Sequence, residues 1–203
     1  MSDGSEFDPE ELMAGFRRSS DGVTARFARP EAAIIRDLVA QVVELVEPPA
    51  DSSTLSAPSV LTEADELAAM VGMTDSSLDD AELPDDPVLA RLLPDAYKDD
   101  PDAANEFRRF TESGLRSAKV QCAQTLLATL PAGGGKIRLS SDQAEAWLRS
   151  LNDVRLALGV RLGVTDDFDA LDDGVEPEDP RYAYVQVYQW LAFIQGSLVA
   201  ALS

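Results

Sequence analysis

The chain has 203 residues, with 37 acidic and 17 basic side chains, no histidine and one cysteine, giving a formal net charge of −20. The length suits one or two domains with a sizeable core, and the charge sets the chain as a whole against nucleic acid and anionic membranes. A single cysteine excludes an intrachain disulfide and, with it, a secreted disulfide scaffold.

Residues 1–13 read as a polar, acidic, disordered tail. The tail lacks the basic and apolar regions of a signal peptide, so the cytoplasm is the expected location. Phe16 to Phe27 predicts a small β-hairpin with Asp21-Gly22 as its turn. There Val23, Ala25 and Phe27 alternate with Thr24 and Arg26, placing one face on a core. Pro30 suits a first helical turn. Ile34, Ile35, Leu38, Val39, Val42 and Val46 then recur at helical spacing to about Glu47, where Pro48-Pro49 stops the helix.

A flexible acidic linker is expected over about residues 48–86, interrupted by a short helix opened by Thr62-Glu63-Ala64-Asp65. Pro87 to Tyr97 predicts one or two helical turns, and Asp99 to Asp102 a turn. The clearest helix runs from about Ala103 to Leu130. Phe107, Phe110, Ala118, Cys122 and Leu126 fall near one of its faces, with Leu115 and Leu130 beside them. Pro131 to Gly135 ends it, and Lys136 to Leu139 reads as a short extended piece.

Ser140 or Ser141 caps the next helix, with Asp142 and Glu145 in its first turns. Trp147, Leu148, Leu151, Val154, Leu158 and Leu162 are expected to face inward, and Gly163 to end the helix. After an acidic loop over 163–180, the final helix spans about Pro180 to Ala201. Residues 182–203 carry no charge, but Gln186, Gln189 and Gln195 interrupt the run and acidic residues precede it. These features predict a helix buried on most sides rather than a membrane anchor. The fold expected is mainly α: a single helical domain over 14–203, a bundle with a small N-terminal β-hairpin.

Charge is unevenly divided. Residues 47–103 hold 15 acids and 2 bases, and residues 163–180 hold 8 acids and no base. Residues 104–162 hold 5 acids and 9 bases, a net +4. The favoured reading pairs these charges inside the molecule, partly through local pairs such as Glu112 with Arg116 and Arg149 with Asp153. The alternative is a partner-binding patch on Arg108, Arg109, Arg116, Lys119, Arg149 and Arg155.

The absence of histidine removes the commonest general base, the Ser-His-Asp triad and most transition-metal sites. Gly133-Gly134-Gly135-Lys136 lacks the spacing of a phosphate-binding loop and reads as a turn. Asp166 to Gly174 lacks the closing glutamate of a calcium loop. No carboxylate pair stands out from the acidic background, which makes a small carboxylate-dependent enzyme the least favoured function. No metal or cofactor is expected. Cys122 is a redox candidate, with Lys119 three residues back to favour its thiolate, set against the plainer reading of a buried, inert cysteine.

Two segments are distinctive together: Asp86 to Tyr97 running on through Asn105 to Thr111, and Trp147 to Gly163. With the N-terminal hairpin and first helix, they resemble the actinobacterial family of AosR-like oxidative-stress transcriptional regulators, a domain of unknown function. The resemblance covers most of the chain outside residues 1–13 and the 50–85 linker. It implies a non-catalytic cytoplasmic regulator that responds to oxidants and acts through a protein partner of the transcription machinery. With Cys122 alone, sensing requires sulfenylation, a mixed disulfide or a Cys122–Cys122 homodimer. Direct DNA binding through the basic 104–162 helices is the alternative, opposed by the net charge and by the absence of a clear helix-turn-helix.

Overall fold

A computed structural model describes residues 15–47, 86–94, 101–164, 175, 176 and 178–203, with the backbone alone over 101–109. The expected tail, the 62–71 helix and the Asp166 to Gly174 run lie outside the described residues. Strands β1 (Arg17–Ser19) and β2 (Gly22–Phe27) are followed by helix α1 (Arg29–Val46). Next come α2 (Pro87–Leu92), α3 (Pro101–Thr129), β3 (Gly135–Leu139), α4 (Ser141–Leu162) and α5 (Tyr182–Leu202). The fold is mainly α, as expected, with a sheet larger than the expected hairpin.

The extended piece after α3 adds to that hairpin, giving an antiparallel sheet in the order β1-β2-β3. Val23 pairs with Leu139 and Ala25 with Ile137. The alternation read from β2 places Val23, Ala25 and Phe27 in the core beside Ile137 and Leu139. The turn differs by one residue from expectation. Ser19 pairs with Gly22, so Ser20 and Asp21 form the loop, and Gly22 enters the strand with φ +132°. A Cβ at Gly22 would lie 2.0 Å from the Leu139 carbonyl oxygen, so glycine is what lets β3 close on β2.

Helix ends follow local chemistry. The Ala28 N–H donates to the Glu31 carboxylate at 2.6 Å, with Pro30 in the first turn of α1. Asp86 caps α2, accepting from the Val88 N–H at 2.7 Å. Ser140, not Ser141, caps α4: its Oγ accepts from the Gln143 N–H and the Gln143 side chain accepts from the Ser140 N–H. Gly163 ends α4 in the left-handed region at φ +69°.

Helix α4 is the hub, packed against α1, α2, α3 and α5. Its inward stripe carries Trp147, Leu151, Val154, Leu158 and Leu162, buried as expected, whereas Leu148, also expected inward, is only half-buried. Trp147 stacks on Phe27 at 5.7 Å and meets Phe16 edge-on at 5.6 Å, joining the sheet to the bundle. The C-terminal end of α5 is tied to β1: the Phe16 N–H donates to Ser197 Oγ, and the Arg18 guanidinium donates to the Ala201 and Leu202 carbonyls.

Two expectations of burial are corrected. Only a third of the apolar stretch of α5 is buried, with Tyr184, Phe193 and Val199 about half exposed. A hub at α4 leaves α5 supported on one side, so the helix is not enclosed on most sides. On α3, Phe110 is 79% exposed and Leu115 is 45% exposed, whereas Ala123, Leu126 and Leu130 are buried. Over residues 110–130 the apolar face therefore meets the core from Ala123 onward.

Candidate functional site

Helices α3 and α5 both pack on α4 and make no substantial contact with each other. Between them runs an open groove with an empty volume of about 990 Å³. Leu148 and Asn152 of α4 contribute to its floor, Leu115 and Cys122 of α3 to one wall, and Gln195 and Val199 of α5 to the other.

The polar anchor of the groove is an ion pair across α3 and α4. Lys119 Nζ donates to Asp153 Oδ1 at 2.7 Å, with the two side chains 21% and 7% exposed. Burial pushes the Asp153 carboxyl above its ordinary value of 3.8, and the Lys119 hydrogen bond and charge pull it back only in part. An acid here was legible in principle. Ser150, Asp153 and Ala157 follow helical spacing and all three are buried, so a carboxylate sits on an inward stripe. The local pairing read for Arg149 with Asp153 is replaced: Arg149 reaches Glu145 at 3.4 Å on the exposed surface, and Asp153 turns to Lys119. The other expected pair forms, with Arg116 2.7 Å from Glu112.

The basic candidates do not share one surroundings. Arg108 and Arg109 lie on the first turns of α3, with side chains outside the described residues. Arg116 also donates to the Val46 carbonyl at 2.6 Å, fastening α3 to the end of α1. Arg155 donates to Gln195 and lies over the Tyr188 ring at 5.3 Å, binding α4 to α5. Its Nε is buried with no hydrogen-bond partner. The structure brings Lys119 and Arg149 together on the groove, and there Arg149 is the one turned to solvent, with its side chain 69% exposed.

Cys122 lines the groove and is half-buried, not enclosed in the core. Lys119, expected to favour the thiolate, has its ammonium committed to Asp153. Among the described residues, no group of three or more His, Cys, Asp or Glu side chains stands close enough to hold a metal ion.

The architecture is thus a small sheet on a helical hub, with a groove framed by α3 and α5. The chain belongs to the family described as Domain of unknown function (DUF2017), whose model matches residues 13–202. It is 36% identical over 186 residues to "Oxidative stress regulator AosR" of Mycobacterium tuberculosis (strain ATCC 25618 / H37Rv), covering 85% of this chain and 78% of that protein. The protein of the same name from Mycobacterium bovis matches equally, and "Putative oxidative stress regulator AosR" of Mycobacterium leprae is 35% identical over 185 residues. No solved structure matches the chain.

Proposed function

We propose that the protein is a non-catalytic cytoplasmic regulator that works by binding a protein partner of the transcription machinery. The observation that carries this is the likeness to relatives named oxidative stress regulators along 85% of the chain. The residue chemistry agrees with it: without histidine and with one thiol, the chain has few groups suited to turnover. The charge favours a protein surface over DNA, because a net charge of −20 opposes phosphate contacts. Arg116, Lys119 and Arg155 are moreover engaged within the molecule.

The decisive experiment immobilises the full chain and challenges it with the cytoplasm of its native host, under reducing and oxidising conditions. Recovery of a transcription protein, followed by binding between the two purified components, is the expected result. Recovery of the bait alone overturns the reading. Gel shifts over a salt series give no retardation at low salt, where electrostatic DNA binding would be strongest.

A further inference from the structure

We propose that the groove between α3 and α5 is occupied by the acidic N-terminal segment of the same chain, which crosses the exposed side of α5 and brings Phe7, Glu10 and Glu11 to Leu148 and Arg149. Contacts fix where that segment leaves the fold. The Phe16 N–H donates to Ser197 Oγ at 2.9 Å. A Cβ at Gly15 would lie 2.5 Å from the Ser197 side chain and 3.5 Å from the Phe193 ring, so the backbone rests directly on α5, an approach that glycine permits. Residues 1–14 precede this anchor and lie outside the described residues. Extended, that length reaches about 45 Å.

The path to the groove is short. Successive helical residues turn by about 100°, so Ser197 and Val199 stand about 160° apart around the axis of α5. Val199 belongs to the groove wall, and the exposed residues Phe193, Gly196 and Ala200 lie on the arc between it and Ser197. A Cβ at Gly196 would meet nothing within 4 Å, so the helix itself does not require glycine there. A backbone crossing close over α5 makes use of it. Around a helix about 5–6 Å in radius the arc is about 15–20 Å, or about five to six extended residues. Counting back from Gly15, Leu12 and Met13 come over Phe193 and Gly196, and Glu10 and Glu11 reach the lip of the groove. Phe7 then meets its apolar lining of Leu115, Leu148 and Val199.

Charge and tethering select this occupant. Within the groove Lys119 and Arg149 stand against Asp153, a net positive spot on a chain at −20. Lys119 is held by Asp153, but Arg149 reaches only the exposed Glu145 at 3.4 Å, and a pair so open to water contributes little. Residues 1–14 supply Asp3, Glu6, Asp8, Glu10 and Glu11 with no Lys or Arg, and the uncharged α5 does not repel them on the way. A second copy or another acidic protein meets the repulsion of the whole chain. The tethered segment is instead held beside the groove at an effective concentration on the order of 1 mM. The other acidic stretches start elsewhere. Residues 48–85 follow α1, which contributes nothing to the groove, and residues 165–174 precede the first turn of α5, about 20 Å along that helix from Gln195.

Cys122 is the single thiol and lines the groove, so its alkylation reads whether the groove is occupied. With an effective concentration on the order of 1 mM and a Kd of about 0.1 mM, the segment is docked about 90% of the time. Maleimide alkylation of the purified, reduced full chain is then roughly 10-fold slower than when docking is broken. Phe7→Ser, and Glu10→Lys combined with Glu11→Lys, change residues ahead of the described fold. Both variants keep the wild-type circular dichroism and raise the rate by that factor. Arg149→Glu raises it likewise, and joining it to the two lysine substitutions restores slow alkylation, because the exchanged charges attract again. A benzophenone amino acid incorporated in place of Phe7 cross-links within one chain to peptides covering 115–122 or 148–152. Equal rates in the wild type and Phe7→Ser overturn the proposal, whether both are fast, with the groove open, or both slow, with another segment over the thiol. So do cross-links that join two chains, and a charge exchange that fails to restore protection. No transcription protein enters these measurements, so this contact and the regulator reading fail separately.

Discussion

Trp147 has no exposed surface, and its indole N–H donates to Thr129 Oγ1 at 2.7 Å. Thr129→Val keeps the shape but leaves that donor buried without a partner. Chemical denaturation should show a loss of about 1–3 kcal/mol. The Lys119–Asp153 pair makes a sharper prediction, because its two members are not equivalent. Removing Lys119 strands a buried carboxylate, whereas removing the carboxylate leaves an ammonium with access to water. Lys119→Met should therefore destabilise by about 3 kcal/mol at neutral pH, and Asp153→Asn by distinctly less. Burial raises the Asp153 carboxyl above 3.8, so between its unfolded and folded values the native state holds more protons. Its contribution is most favourable below 3.8 and declines as pH rises through the folded value. Subtracting the Asp153→Asn stability curve from the wild-type curve should expose that decline. A flat difference would mean that burial does not govern this carboxyl.

Whole elements owe their position to contacts that span the chain. Arg36 donates to the Leu127 and Leu130 carbonyls at 2.6 and 2.8 Å, so α1 supplies the donors that the last turn of α3 lacks. Arg36→Met should cost about 1–3 kcal/mol, measurable by urea denaturation, because two part-buried acceptors lose their donor. Local features of these elements were legible. The alternation in β2, the Ser140 cap and the Gly163 stop depend on residues within a few positions of each other. The pairing of β3 with β2 joins residues 23–27 to residues 135–139, and no local periodicity specifies that contact. The same holds for α3, where beyond residue 109 Phe110 and Leu115 of the apolar stripe lie open and Ala123 and Leu126 are covered. Periodicity states which face is apolar, not how far a neighbouring helix extends along it.

For the molecule as a whole, charge is the governing quantity. A chain at −20 repels itself, and compact packing brings those charges together. Its melting temperature should rise between ~0.02 M and ~0.2 M salt, as the shortening Debye length screens repulsion among the excess acids. Constant melting across that range would show that the acids are already neutralised within the fold. The candidate site was partly legible at this scale. Cys122, Lys119 and Arg149 are now neighbours on one groove, while Arg116 and Arg155 serve as fasteners between helices. Gln195 and Val199 enter the groove from α5, which only the packing of α5 against α4 could bring beside α3.

The described helices and their ends were legible from periodicity and short-range chemistry, because capping and turn geometry act over a few residues. Which apolar faces stay open, and where the lone thiol and the buried acid sit, were settled by packing. Exposure is a property of what lies opposite a residue, and for α3 and α5 that neighbour is α4, held between them.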